Sequence, residues 1–228
     1  TSYAMVFFAI WWAWMNFTWF ASSFATDDWL YRVLTVVQMS GVLVLAAGVE
    51  PAFTDHDYTV VLLAYVVMRV AMVAQWLRAS RSAGSRRRTT RVYAGGIAVL
   101  QVCWLVLLVL PEAAGRIAFI VLVGAELAIP IIAERQGTTP WHPHHITERY
   151  GLFTLILLGE SLLASANAVI EALHDDQALA PLILIAVLAV VVTAALWWIY
   201  FWPPHHTAIR DLRSSLRYGY VQIGRAHV

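Results

Sequence analysis

Charge is scarce in this chain. Asp, Glu, Lys and Arg together make up 13% of its 228 residues. A soluble domain carries about 25% charged residues, and one with half that could not cover its surface. Lysine is absent, and all 15 basic residues are Arg. That bias reflects the base composition of the gene more than function. The single cysteine, Cys103, stands in an apolar run. This excludes a disulfide framework and a cysteine metal site. There is no Gly-rich phosphate loop and no His-Glu-x-x-His pattern. Ser161 lies about four helical turns from the nearest histidines, so no Ser-His-Asp grouping can be argued. The chain starts at Thr1 without an initiator Met or a basic n-region, unlike a signal peptide.

What is present is apolar. Hydrophobic residues make up 61% of the chain and the mean hydropathy is +0.68. Several runs reach the ~20 residues needed to cross a bilayer. The expected fold is all-α, a polytopic transmembrane helical bundle of about seven spans. They are read at residues 1–24, 30–49, 58–77, 92–110, 117–133, 146–170 and 181–202. The stretch 78–91 holds Arg78, Arg81, Arg86, Arg87, Arg88 and Arg91 among Ser, Gly and Thr. No aromatic residues interleave, so it is a poor nucleic-acid patch. It reads instead as a cytoplasmic loop by the positive-inside rule. Alternation then places 26–29, 135–145 and 203–217 inside, and 50–57, 111–116 and 171–180 outside. Among the outer loops only Arg116 departs from the rule.

The chemistry-bearing residues are the polar ones inside apolar spans, where an ionisable group costs several kcal/mol or must find a partner. The stretch 124–167 carries two carboxylates, Glu126 and Glu160, on either side of a histidine-rich loop. On an ideal helix Arg149, Phe153, Ile156, Glu160, Ala164, Asn167 and Glu171 share one stripe. A polar stripe on a span faces the bundle interior or a wet cavity, so Glu160 is expected to be shielded in a central sixth span. Gly151 and Gly159 would let a neighbouring helix approach. Pro130 stands four residues after Glu126 and cannot donate to its carbonyl. Glu126 could therefore face a cation or donor in a broken helix, or be a protonated residue of a merely kinked one. Arg69 either snorkels to the Arg78 end of its span or pairs with a buried carboxylate. Asn16 is the one amide of the first span, suited to an interhelical hydrogen bond before a ligand contact. The candidate pathway residues are thus Glu126, Glu160, Arg69, Arg149, Asn167 and Asn16. His142, His144 and His145 with Glu148 are the candidate metal ligands, His144 and Glu148 being four residues apart. Interfacial histidines that meet headgroups or cap the helix are the plainer alternative. No catalytic residue and no cofactor other than such a metal is expected.

The run Pro140-Trp141-His142-Pro143-His144-His145-Ile146-Thr147-Glu148-Arg149-Tyr150-Gly151, with Leu158-Gly159-Glu160-Ser161, resembles the signature of the bacterial low-temperature-requirement A family. Trp11-Trp12-Ala13-Trp14, Phe17-Thr18-Trp19-Phe20 and Thr26-Asp27-Asp28 resemble its earlier part. The resemblance covers about residues 11–220. It implies an integral, multi-pass protein of the bacterial inner membrane with further spans at both ends, hence a fragment here. The family's acidic Phe-Phe-Asp opening helix has no counterpart, and Ala25 stands where the family often has Asp. The family name records a cold-growth phenotype and implies no established reaction. Residues 1–220 are expected to form one partial transmembrane domain. Residues 223–228, Ile-Gly-Arg-Ala-His-Val, match one frame of a common sequencing adapter, so 221–228 are expected to be a non-native tail.

Three functions fit these residues. The first is a transporter or channel for a small solute or ion, resting on the intramembrane carboxylates and Arg69. The second is a membrane enzyme acting on a lipid or isoprenoid through the histidine loop. The third is a structural or stress-related membrane protein. The first is favoured, so an enzyme is not the primary expectation. The expected partners are the lipid bilayer and a small solute or ion, with no nucleic acid.

Overall fold

The structure is a computed structural model that describes residues 2–108, 110–141, 143–174 and 179–202. Eight α-helices and no strand occur among them. They are α1 (Ser2–Phe24), α2 (Trp29–Ala47), α3 (Val49–Thr54), α4 (Thr59–Ser82), α5 (Arg87–Leu107), α6 (Glu112–Glu134), α7 (Pro143–His174) and α8 (Leu179–Phe201). All but α3 are long and apolar enough to cross a membrane, which makes seven spans. The expected all-α polytopic bundle is therefore what the chain forms.

The helix ends follow local chemistry. Asp28 caps α2 by accepting the Tyr31 backbone N–H at 2.9 Å. That N–H, and then the Arg78 guanidinium paired with Asp28, hold its carboxyl below the ordinary aspartate value. Asp57 accepts the Thr59 backbone N–H at 2.9 Å where α4 starts, and its bonds to Thr59 likewise lower its pKa. Two boundaries differ from expectation. The outer loop expected at 50–57 is in large part the short helix α3, with Glu50 and Pro51 inside it. A proline in the first turn of a helix removes an N–H that has no partner there in any case. The arginine stretch 78–91 is mostly helical: α4 runs to Ser82, a 3₁₀ turn spans Gly84–Arg86, and α5 begins at Arg87.

By its contacts the chain divides into two compact units, residues 1–141 and 142–228. In the first, α4 is the central helix. It packs against α2 and α5, α5 packs against α6, and α1 lies on α3 and α4. One core cluster forms at the arginine end, around Phe20, Met72, Trp76, Tyr93, Ile97 and Ile129. A second forms at the opposite end, around Val6, Leu45, Val61, Tyr65 and Met68. Small residues set the approach of α2 to α4. A Cβ on Gly48 would sit 2.9 Å from the Val61 backbone nitrogen. Backbone cannot swing aside, so Gly48→Ala is expected to cost about 1–3 kcal/mol. Gly95, whose added Cβ would meet nothing within 4 Å, is the control. Gly95→Ala should be neutral or gain up to about 1 kcal/mol of helix propensity. Thermal unfolding of the two purified variants checks the contrast, and equal melting points would contradict the close α2–α4 packing.

In the second unit α7 packs against α8. Within this unit α7 presents one face to α8. The half-buried positions of α7, among them Gly151, Thr154, Leu158, Ser165 and Val169, form one stripe. An added Cβ on Gly151 would meet Phe201 of α8 at 3.6 Å, whereas one on Gly159 would meet nothing. The stripe through Arg149, Ile156, Glu160, Ala164, Asn167 and Glu171 is exposed. The two stripes are nearly opposite, since a step of two residues turns a helix by about 200°. Within this unit α8 takes the apolar face of α7, and the polar stripe points away from α8.

Candidate functional site

The site is built around one carboxylate in the first unit. Glu126 on α6 is 1% exposed and Arg69 on α4 is 3% exposed. Arg69 Nη2 donates to Glu126 Oε2 at 3.1 Å. The same oxygen accepts the Trp12 indole N–H from α1 at 2.8 Å. Glu126 Oε1 accepts the Trp104 indole N–H from α5 at 3.2 Å. Four helices thus converge on one carboxylate, with three donors on its two oxygens. Arg69 Nη2 also donates to the Tyr65 hydroxyl at 3.3 Å, and that hydroxyl donates to the Ala9 carbonyl at 3.2 Å. The guanidinium lies 4.8 Å from the Tyr65 ring centroid. A buried ion pair is stable only when its remaining lone pairs and protons are satisfied. Here the indoles and Tyr65 do most of that, and Arg69 Nε is left without a partner.

A cavity of ≈ 730 Å³ leads to this carboxylate. Its rim is exposed and holds His56, Asp57 and Thr59 at the start of α4, Leu110 at the α5–α6 turn and Arg116 near the start of α6. Its walls are apolar and aromatic, including Phe8, Leu62 and Phe119, and its floor is Trp12, Tyr65, Trp104 and Glu126. Arg69 stands behind that floor. His56 sits at the rim with φ +56°, the one left-handed non-glycine among the described residues.

The other end of the unit is closed. Trp76 stacks on Tyr93 with ring centroids 4.2 Å apart and planes 4° apart. Phe20 and Phe24 meet Trp76 edge-on at 4.9 and 5.7 Å. Below this layer Glu134 at the end of α6 accepts from the Tyr93 hydroxyl at 3.0 Å and from the Thr139 N–H and hydroxyl, each at 2.9 Å. Thr89 donates to the Gly137 carbonyl at 2.8 Å and Arg86 Nε to the Thr138 carbonyl at 3.0 Å. Trp141 packs on Trp19 at 5.1 Å. The segment 135–141 is thereby pinned to α1 and α5.

The structure brings together two of the predicted pathway residues, Glu126 and Arg69. Of the two readings of Arg69, it takes the buried partner and not the snorkel. The carboxylate it meets is Glu126, and α6 continues through Pro130 as one helix. Among the described residues Asn16 makes no interhelical hydrogen bond, and it does not line the cavity that reaches Glu126. Its amide donates to the Trp12 carbonyl of its own helix at 2.8 Å. Glu160, Arg149 and Asn167 lie on the exposed stripe of α7. His144, His145 and Glu148 fall in the first turns of α7, because Pro143 is accepted at a helix start. The pair that approaches is His145 Nδ1 with Glu148 Oε2 at 3.8 Å, and not His144 with Glu148. Among the described residues no three His, Cys, Asp or Glu side chains converge as a metal site. His142, His205 and His206 lie outside the described residues.

Sequence reasoning missed Trp12, Tyr65 and Trp104 as parts of the site. A signal was available for one of them: tryptophans favour the membrane interface, and Trp12 stands in the middle of α1. An indole N–H there needs an acceptor, and acceptors inside the spans are few.

A family model described as "Bacterial low temperature requirement A protein (LtrA)" matches residues 1–226. A protein of Rhizobium meliloti (strain 1021), "Uncharacterized protein RA0937", is 26% identical over 211 residues, which is 85% of this chain and 48% of the relative. The chain spans about half the length of the curated relative it matches. No solved structure matches it.

Proposed function

The chain belongs to the bacterial low temperature requirement A family, and from that premise we propose that it forms a pathway for a small solute or ion across the cell membrane. The observation that carries this is the cavity that runs from an exposed rim to the Glu126 carboxylate. The carboxylate lines a space large enough for a small molecule, although the ion pair is at most 3% exposed. The opposite end is plugged by the Trp76–Tyr93 layer. A vestibule on one side of a buried charge and a packed seal on the other is the arrangement that alternating access requires. The arginine end faces the cytoplasm by the positive-inside rule, so the vestibule opens outward. The exposed apolar side chains, Leu43, Val70 and Ile120 among them, meet the lipid. Glu160, Arg149 and Asn167 supply a second polar surface on α7, and His144, His145 and Glu148 flank its start.

Flux tests the proposal. The full-length protein that contains this sequence is placed in proteoliposomes with a trapped pH-sensitive dye. Candidate solute gradients are then applied one at a time. Glu126→Gln keeps shape and polarity but removes the charge. It should lower the flux by roughly tenfold or more, equivalent to about 1.4 kcal/mol or more. Glu160→Gln should lower it less, since that carboxylate has no partner to lose in its own unit. His144→Ala should have the smallest effect. Full activity of Glu126→Gln, with Glu160→Gln inactive, would move the site to α7.

A further inference from the structure

Every group aimed at the Glu126 carboxylate is a donor. Trp12 Nε1, Trp104 Nε1 and Arg69 Nη2 supply three N–H groups to two oxygens, and one of them carries a full charge. Two more donors have no partner and are buried nearby in sequence on the same helices. Arg69 Nε is one, and the Gln101 amide, one turn inward of Trp104 on α5, is the other. Gln101 is 7% exposed, and both its amide atoms lack a hydrogen bond. A solute cation reaching this floor would meet the Arg69 charge from behind it. An anion would meet a set of donors already shaped for a carboxylate.

We propose that this donor cage is the binding site for a small, planar, monovalent anion of the carboxylate class, which replaces the Glu126 side chain when that side chain takes a proton. The proposal rests on the pathway reading above and names its substrate class. The charge balance is simple. With Glu126 ionised, the cage is occupied and the Arg69–Glu126 pair is neutral. A proton that enters through the vestibule binds the Glu126 carboxylate and leaves Arg69 as an uncompensated buried cation. Such a charge is costly until another anion pairs with it. The anion takes the two indole N–H groups and the guanidinium, and the pair is neutral again. One proton and one anion have then entered together. No bond to carbon forms or breaks. The ionisable groups that face this region are few. Arg69, Tyr65 and Tyr58 come from α4 and its start, His56 and Asp57 from the rim, and Arg116 from α6. Among the described residues no ionisable side chain of α1 or α5 lines the cavity.

Nitrate is the probe, because it is planar, monovalent and isosteric with a carboxylate, and its acid does not cross bilayers as a neutral species to any useful extent. Gluconate is the bulky control at equal ionic strength. Glu126→Ala empties the cage. Nitrate at roughly ten times its dissociation constant should then raise the melting temperature of the full chain by about 2–4 °C over gluconate. It should do so neither for wild type at neutral pH nor for Glu126→Ala/Arg69→Met. A Glu126→Ala protein that folds and shows no nitrate-specific shift overturns the proposal. Should Glu126→Ala not fold, wild-type proteoliposomes decide. An inward nitrate gradient should drive proton entry, and Arg69→Met should abolish it. No nitrate-driven proton entry, with flux of another solute intact, rejects the anion cage and leaves the pathway reading standing. No flux with any solute rejects the pathway reading itself.

Discussion

Arg69→Met is expected to destabilise the protein by about 3–5 kcal/mol, and Arg69→Met/Glu126→Gln to regain most of that loss. The reason is the asymmetry of a buried ion pair. Both side chains are at most 3% exposed, so removing the guanidinium leaves Glu126 with two indole donors and no counter-charge. The carboxylate must then take a proton or draw water through the vestibule, and either response costs stability. Replacing both partners removes the charge problem altogether. What is left is the loss of packing, of the Arg69 bond to Tyr65 and of the acceptor for one of the two indoles, neutral hydrogen bonds of about 0.5–1.5 kcal/mol each. Glu126→Gln alone should be milder than Arg69→Met, because a guanidinium beside Tyr65 retains the ring and its hydroxyl as partners. The measurement is a double-mutant cycle on thermal or denaturant unfolding in detergent. A coupling energy near zero would mean that the two charges do not meet in the folded protein.

The other large effect is expected at Trp76. Trp76→Ala should cost about 3–5 kcal/mol, the range for deleting a large aromatic side chain from a packed core. For a chain of this size that is a fall in melting temperature on the order of 10 °C. Trp76 is 1% exposed. It touches two other helices, α5 through Tyr93 and α1 through Phe20 and Phe24, so no single neighbour can move in to fill the space. Trp76→Phe should cost much less, because it keeps a ring on Tyr93 and removes an indole N–H that has no partner. On the pathway proposal Trp76→Ala has a second consequence. It thins the plug between vestibule and arginine end, so proteoliposomes should leak small ions through the variant and not through Trp76→Phe. Loss of stability without any leak would place the seal elsewhere.

The number of helices and their membrane-spanning character were legible in the sequence because bilayer thickness acts on each segment separately. A run of about 20 apolar residues satisfies that constraint whatever its neighbours do. Helix ends were less legible. The arginine stretch 78–91 was read as a loop from its charge, yet most of it is helix, since arginine is a good helix former. The value of Arg69 and Glu126 was visible for the same local reason, as an ionisable group in an apolar span demands a partner. Their pairing was not visible. They lie 57 positions apart, and Glu160 offered an equally plausible carboxylate by composition and by helical phase.

By itself, then, the sequence determined an all-α chain of seven spans and a short roster of polar residues that lipid would not tolerate unpartnered. Only the tertiary structure decided which of them meet. Helical phase tells which residues share a face, but the choice of neighbour belongs to packing between helices. α7 illustrates this: phase marks its polar and apolar stripes, and packing gives the apolar one to α8. α4 illustrates the converse. Nothing in its composition marked it as the central helix of the first unit, and its position there is what brings Arg69 to Glu126, with Trp12 and Trp104 to complete the cage.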